Sequence, residues 1–505
     1  GIFYTASGEF ESGAMLIKDN RIDRMSRTAD PAAMPTVDAE SAAGDMAKDV
    51  DSIDLHGGYV IPGFADAHIH LTSLALKRLR CDLSTAGSAR DVCAVLAESA
   101  AASDAPFVIG VDFDESRWEN RKLPTRVMLD GVDDKRPVLA RRICGHVGVA
   151  NTPMLSLLET RPDLINRDTG VIKEHAVWAA GRICEPDSDS VVRSFAEAID
   201  GLYALGITTI HDIVEENKFD MYLEGIQRAR TPLRIDALVN TSPRRIERFV
   251  RRCGESPVEN VRVVGAKCFL DGSIGGHTAA LNADYADHAG WGTLLMRREV
   301  LEAVAGECFD KGYVLAIHAI GDRSLDLATG VLREFPPDAG CFRLEHCEVT
   351  APAQIAGLKC APVFLCLQPN FVRNWGGPGG LNEMRLGSER NRWCNAYRTL
   401  LDTGKRCIFG SDGMPPGPLY GIKGAIDHPV TEERMSPREA IECYASTAHS
   451  LAAHKRAAGS LEPGNLADLA VLNANPLTVD PDVIQVTMTF VDGEIVYDGA
   501  GGAGA

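Results

Sequence analysis

Two histidines separated by a single residue, His68 and His70, close an apolar run that begins at Tyr59. Side chains two positions apart on a β-strand emerge on the same face, so a strand here would place both imidazole rings side by side. A neutral imidazole offers a nitrogen lone pair near neutral pH, and histidine is the commonest metal ligand in proteins. The spacing therefore predicts that the pair binds one metal ion, with a pair of polar residues on an exposed strand as the alternative interpretation.

Four further polar residues stand at the end of short apolar runs that resemble strands. They are Lys267 after 261–266, His318 after 313–317, His346 after 342–345 and Asp412 after 407–411. A single histidine after an apolar strand is more often a hydrogen-bonded structural residue. Together with His68 and His70, the set is better explained by a metal centre, because imidazole and carboxylate groups are ligands of divalent metal ions.

Lys267 requires a separate explanation, because an ammonium group beside metal cations would be repelled and costly to desolvate. Carbon dioxide adds to a neutral lysine amine and gives a carbamate anion, whose two oxygens are able to bridge two metal ions. The alternative is a plain ammonium group paired with Asp271 or Glu345. The residues alone leave both interpretations open.

The elements that would position these residues alternate between short apolar strands and helical stretches, which is typical of βα units around a parallel sheet. Helices are predicted at 192–205, 298–311 and 323–335, and eight strands are predicted at 64–70, 207–212, 233–239, 261–271, 313–318, 342–346, 363–368 and 407–412. Eight strands favour an α/β fold of the (β/α)8 TIM-barrel type, with a doubly wound open sheet as the rival. Active sites of such barrels lie at the carboxyl ends of the strands, where all six candidate ligands fall.

The two ends of the chain differ from the middle, since both read as all-β hairpins with turn signals such as Asp492-Gly493. We predict a small β-sandwich built from residues 1–60 and 456–505, with the barrel at 61–455. A structureless loop between the first two barrel strands would be improbably long, so an α/β subdomain is predicted there, inserted at about 80–190.

Composition excludes several classes of partner. The 505 residues carry 52 Lys and Arg against 70 Asp and Glu, and a net charge of -18 disfavours binding to nucleic acid or anionic lipid. No apolar run reaches the roughly 20 residues that cross a bilayer. The 14 cysteines are scattered without a C-x-x-C pair, and no secretory signal pattern precedes them, so we expect free thiols and a cytoplasmic location. The expected partner is a small-molecule substrate; a homo-oligomer is compatible with the sequence, which leaves oligomeric state open.

Taken together, these residues resemble the amidohydrolase superfamily, within it the amidohydrolase-3 branch that includes N-substituted formamide deformylases. The resemblance covers nearly the whole chain and is specific for the family but not for the substrate. Its motifs are Pro62-Gly63-Phe64 with His68-Ile69-His70, Leu123-Pro124-Thr125-Arg126, Gly145-His146, Gly206-Ile207-Thr208-Thr209, Lys267 with Asp271-Gly272-Ser273, His318 with Gly321-Asp322, Glu345-His346, Gly410-Ser411-Asp412 and 459–469.

The resemblance implies a binuclear centre, usually of zinc, in which His68, His70 and Asp412 hold one ion and His318 and His346 the other. A carboxylated Lys267, formed with carbon dioxide, would bridge them. It further implies that Asp412 is the general base of a metal-activated hydroxide. The tetrahedral oxyanion would be held by a metal and by His146 or His211, and a structural role for His146 is the alternative.

The implied activity is metal-dependent hydrolysis of a non-peptide carbon–nitrogen bond in an N-substituted amide or formamide, an amidohydrolase reaction of the EC 3.5 class. Two alternatives stay open: a deaminase or cyclic-amide hydrolase on the same centre, and a catalytically inactive scaffold. Lys267 favours the two-metal hydrolytic form over a one-metal deaminase. One departure concerns His277, where related sequences often carry arginine, so binding of an anionic substrate group is in doubt.

Overall fold

The computed structural model describes residues 1–28, 52–184, 186–256, 258–450 and 457–499. Within these ranges the chain forms three β-sheets, of seven, five and eight strands. The strands, numbered along the chain, are β1 (Ile2–Tyr4), β2 (Phe10–Lys18), β3 (Arg21–Thr28), β4 (Tyr59–Pro62), β5 (Phe64–Ile69), β6 (Cys81–Asp82), β7 (Val108–Phe113), β8 (Val138–Arg142), β9 (Val147–Ala150), β10 (Val171–Lys173), β11 (Ile207–Glu215), β12 (Arg234–Asn240), β13 (Val261–Phe269), β14 (Val314–Ala319), β15 (Phe342–His346), β16 (Val363–Leu367), β17 (Cys407–Phe409), β18 (Leu469–Leu472), β19 (Val486–Val491) and β20 (Glu494–Asp498).

The α-helices of the same ranges fall mostly between the strands of the eight-stranded sheet. They are α1 (Leu71–Lys77), α2 (Ala89–Ala102), α3 (Arg126–Asp130), α4 (Thr152–Leu157), α5 (His175–Ile183), α6 (Ser188–Tyr203), α7 (Phe219–Ala229), α8 (Pro243–Gly254), α9 (Arg298–Lys311), α10 (Asp322–Leu332), α11 (Pro352–Cys360), α12 (Pro369–Trp375), α13 (Leu381–Asn391), α14 (Tyr397–Leu401), α15 (Pro418–Ile426), α16 (Pro437–Tyr444) and α17 (Ser446–Ser450).

The eight-stranded sheet is a TIM-type barrel, built from β5 and from β11 to β17 in chain order with every pair parallel. Its strands are covered on both faces, which explains uninterrupted apolar sequences such as Val363–Leu367. The two outer strands meet where the backbone N–H of Asp412, just after β17, donates to the carbonyl oxygen of His68 on β5 at 2.6 Å. The predicted barrel is therefore confirmed, and the alternative of a doubly wound open sheet was wrong.

The five-stranded sheet lies in the chain between β5 and β11, in the order β10-β9-β8-β7-β6. Strands β6 to β8 are parallel, and β8, β9 and β10 are antiparallel. The hairpin between β8 and β9 contains Gly145, whose φ of 71° is one that glycine adopts without strain. The turn places the next residue, His146, directly before β9 and beside His318 of the barrel.

The seven-stranded sheet joins the two ends of the chain, in the order β20-β19-β18-β4-β1-β2-β3. Asp492 and Gly493, with φ of 54° and 80°, connect β19 to β20, as expected of an Asp-Gly hairpin turn. We predicted a small β-sandwich built from both chain ends; a β domain from both ends is confirmed, and its strands form a single seven-stranded sheet. Of the predicted boundaries, that at 455/456 lies outside the described residues, and those at 60/61, 80 and 190 stay predictions.

Two further expectations concern the whole chain. All 14 cysteines are free thiols in the structure. Across the described ranges, none of the helices is both long enough and apolar enough to pass through a bilayer.

Candidate metal centre

The carboxyl mouth of the barrel brings all six predicted ligands to one end of the sheet. His68 lies on β5, His70 precedes α1, Lys267 lies on β13, His318 on β14, His346 ends β15, and Asp412 follows β17. Parallel strands end at the same edge of a sheet, which is why residues so distant in sequence meet here.

The closest group within this set consists of His68, His346 and Asp412, whose ligand atoms all lie within 4.8 Å of one another. The Asp412 carboxylate Oδ1 is 3.0 Å from His70 Nε2 and 3.6 Å from His68 Nε2. The rings of His318 and His346 are adjacent, with centroids 4.4 Å apart. The ligand atoms of His68, His346 and Asp412 are therefore close enough together to hold a metal ion.

Two of these residues have backbone conformations that non-glycine residues rarely adopt. The φ angles are 74° at His346 and 55° at Asp412. Such strain costs of order 1–3 kcal/mol per residue and persists where surrounding structure enforces it, which is common at active sites. His346 is the last residue of β15 and Asp412 follows β17, so both conformations occur where the chain leaves the barrel sheet.

Burial sets the ionisation of the donors. The pKa values of His68, His318 and His346 lie well below the ordinary range, mainly because burial penalises the charged ring. Burial also opposes the charge of Asp412, but the hydrogen bond with His70 and the nearby His68, His70 and Lys267 outweigh it and lower the pKa of its carboxyl. Burial therefore favours neutral imidazoles at His68, His318 and His346, which is the form that binds metal ions. The pKa of His70 is instead raised, because its hydrogen bond with Asp412 and the charge of that carboxylate outweigh burial.

Lys267 is almost completely buried, with 1% of its surface exposed. Its Nζ makes no hydrogen bond to any residue of the described ranges. Within those ranges the carboxylates of Asp271 and Glu345 form ion pairs with His318 and Arg343, and neither lies within 4 Å of Nζ. Nζ lies 5.0 Å from the centroid of the Phe269 ring. Burial lowers the pKa of this amine, despite the opposing charges of Glu345 and Asp412.

Glu345 is a partner of the centre that sequence reasoning named as an alternative partner for Lys267 and in the Glu345-His346 motif, without assigning it a contact with His68. Its Oε2 accepts a hydrogen bond from His68 Nδ1 at 2.5 Å, and the Arg343 guanidinium donates to the same oxygen at 3.0 Å. A donated Nδ1–H leaves Nε2 of His68 as the ligand nitrogen. The sequence signal was present but unused: Arg343 and Glu345 carry opposite charges two positions apart, so they lie on one face of this short strand.

We predict that Glu345→Gln lowers the affinity for the metal roughly 10- to 100-fold, because His68 loses the carboxylate that orients its ring. Competition with a chromogenic chelator measures this affinity. Glu433→Gln is the matched control, since Glu433 is also buried but accepts its hydrogen bonds from Thr399. A folded Glu345→Gln variant with unchanged affinity would contradict the assignment.

A cleft opens to solvent beside His318 and Asp412. Its polar lining comprises Arg142, Cys144, His146, Ser273, Glu348 and Asn382, and its apolar lining comprises Ile274, Ile320, Phe371, Trp375, Leu381 and Met414. The Phe371 ring is stacked on His346, with an interplanar angle of 7° and centroids 6.0 Å apart. The cleft is therefore lined by both polar and apolar side chains.

The two histidines predicted to hold an oxyanion differ in position. His146 lines the cleft, and its ring centroid is 5.9 Å from that of His318. His211 is buried on β11, and its Nδ1 accepts a hydrogen bond from Arg343 at 2.9 Å. The geometry thus favours His146 over His211 for contact with a bound molecule.

His277 does not line the cleft. Its Nε2 lies 3.0 Å from Asp287 Oδ1, and burial together with the charge of Arg385 lowers the pKa of its ring to about 4. A neutral imidazole already bonded to a carboxylate offers little attraction to an anionic substrate group.

A parallel barrel with a histidine–carboxylate cluster at its carboxyl mouth is the arrangement expected of a metal-dependent hydrolase. The chain belongs to the amidohydrolase family, whose sequence model matches residues 51–497. Enzymes of this family are hydrolases that use divalent metal ions and act on small-molecule substrates.

Similar proteins cover nearly the full chain. The amidohydrolase YtcJ of Bacillus subtilis (strain 168) is 27% identical over 89% of this chain and 91% of its own length. The N-substituted formamide deformylase of Arthrobacter pascens is 25% identical, over 91% and 92%. A crystal structure of an uncharacterized metal-dependent hydrolase from Pyrococcus horikoshii OT3 superposes with a TM-score of 0.73 at 25% identity, covering 96% of this chain and 98% of that one.

Proposed function

We propose that this hydrolase cleaves a non-peptide carbon–nitrogen bond in an N-substituted amide or formamide. The observation that carries the proposal is the cluster of His68, His346 and Asp412 at the barrel mouth, with its ligand atoms within 4.8 Å of one another. The similarity to an N-substituted formamide deformylase supports this choice of bond.

The donor set fits two divalent ions, for which zinc is our choice because imidazole and carboxylate suit it. His68, His70 and Asp412 would hold one ion, and His318 and His346 the other. Lys267 as a carbamate would be shared by the two ions. This would explain why its buried Nζ has no hydrogen-bond partner, and it would replace a buried cation, which is costly to desolvate, with a metal ligand. When bound, such ions lower the pKa of water and polarise a carbonyl oxygen.

Asp412 is the proposed general base. Its carboxylate accepts a proton from the water that attacks the carbonyl carbon and returns that proton to the departing nitrogen. The amide and water thereby become a carboxylic acid and an amine. His146 stabilises the oxyanion that forms on the carbonyl oxygen, while Phe371, Trp375 and Met414 accept the apolar part of the substrate.

Metal analysis joined to a substrate screen tests the proposal. We expect two divalent ions per chain and turnover of at least one N-formyl or N-acyl amide, with activity lost on exhaustive chelation and restored by zinc. A single tightly bound ion with release of ammonia from a cyclic substrate would favour a deaminase instead. Activity that survives complete metal removal would overturn the mechanism.

A further inference from the structure

One contact within the inserted subdomain, beside the cleft, has no part in the metal centre. Glu174 directly follows β10 and precedes α5 in the insert. Its Oε2 lies 2.7 Å from Nδ1 of His146, the cleft histidine on the neighbouring hairpin. The backbone N–H of Glu174 also donates to the carbonyl oxygen of His146 at 2.9 Å. The two residues are therefore fixed to each other through both main chain and side chain.

The conformation of Glu174 is unusual for a glutamate. It has φ of 48° and ψ of -123°, in a region that costs a non-glycine residue free energy. Its side chain is 4% exposed, although glutamate is rarely buried without a charged partner. A Cβ on Gly272, in the loop after β13, would lie 2.5 Å from Glu174 Oε1, so the carboxylate approaches that barrel loop closely.

The charges of the pair reinforce the geometry. Burial alone would lower the pKa of His146, but the Glu174 carboxylate raises it to about 9. Burial would likewise raise the pKa of Glu174, and His146 reverses that shift. A charge-assisted hydrogen bond of this kind is stronger than one between neutral groups, and it fixes the orientation of the ring.

We infer that Glu174 is a positioning residue, which holds His146 through Nδ1 so that Nε2–H is presented to the developing oxyanion in the cleft. This inference rests on the proposed function for the identity of the oxyanion, which is the former carbonyl oxygen of the amide. Glu174 itself does not line the cleft and acts only through His146. The insert thus supplies His146 and its partner Glu174 to a cleft that residues of the barrel line for the most part.

A double-mutant cycle on the metal-loaded enzyme tests the inference. His146→Gln is expected to lower kcat roughly 100-fold, and Glu174→Gln roughly tenfold. The KM of each variant should change by less than about threefold. Glu174→Asp retains a carboxylate and should recover part of the loss. Adding Glu174→Gln to His146→Gln should cost nothing further, because the residue that Glu174 positions is already gone.

Asp130→Asn is the matched control for the folding of the insert. Asp130 belongs to the same subdomain and pairs with Arg126 at 3.0 Å, but it does not line the cleft. Its replacement should leave kcat unchanged. An unaltered kcat in Glu174→Gln, or an equal further loss when the change is added to His146→Gln, would overturn the positioning role.

A binding measurement separates this inference from the proposed reaction. Inorganic phosphate is a tetrahedral anion, and calorimetry on the metal-loaded protein gives its Kd without any substrate. We expect Glu174→Gln and His146→Gln to weaken phosphate binding by a similar factor of roughly five or more, and Asp130→Asn to leave it unchanged. If no amide is hydrolysed but this pattern holds, only the proposed function fails. Failure of the wild type to bind phosphate, or equal Kd values in all variants, counts against the inference.

Discussion

Asp412→Asn is expected to lower kcat by roughly 10³-fold or more, since an amide cannot accept the proton that the carboxylate takes from water. The asparagine side chain keeps the shape of aspartate and one oxygen near His70, whose Nε2 lies 3.0 Å from Asp412 Oδ1. Metal content should therefore fall far less than turnover. Measuring kcat and bound metal on the same sample separates the loss of a base from the loss of a ligand.

Asp427→Asn is a suitable control for that measurement. Asp427 follows α15, is largely exposed, and pairs with Lys423 on the outside of the barrel. Its replacement should change neither quantity. Wild-type turnover in Asp412→Asn would show that Asp412 has no part in the mechanism. If bound metal and turnover fall in proportion, Asp412 acts as a metal ligand and not as the general base.

Lys267→Met is expected to have the second large effect, with a loss of about one ion per chain and a decrease in kcat of roughly 10³-fold, because the bridging carbamate cannot form. The metal-free variant should be as stable as the metal-free wild type or more stable by about 1–3 kcal/mol, because the wild type buries an amine without a hydrogen bond in the described structure. Metal analysis, kinetics and thermal unfolding report the three quantities.

Lys267→Arg distinguishes a carbamate from a plain cation. Arginine keeps a positive charge at this position but does not offer the neutral primary amine that carbon dioxide attacks. It should lose metal as Lys267→Met does. Zinc uptake by metal-free wild type should also depend on added bicarbonate. Full metal content in both variants, or uptake indifferent to bicarbonate, would contradict the carbamate.

The barrel and the positions of its polar residues were accessible from the sequence because they follow local rules. Strand segments of a parallel sheet are short and apolar, and helix α9 was predicted with the bounds that the structure has, Arg298–Lys311. All strands of such a barrel point in one direction, so a residue that ends an apolar run is assigned to the mouth without knowledge of any contact. The positions of His318, His346 and Asp412 follow from that polarity alone.

The partners of these residues were decided by the tertiary structure. Glu345 contacts His68 from another strand, and Glu174 contacts His146 within the insert. The residues of each pair are far apart in sequence, so the spacing of residue types along the chain does not predict either contact. The same holds for the choice between His146 and His211, since the first lines the cleft and the second bonds to Arg343. Chain direction is a local property that a one-dimensional pattern records, whereas side-chain partners and burial depend on how loops and the inserted sheet pack against the barrel.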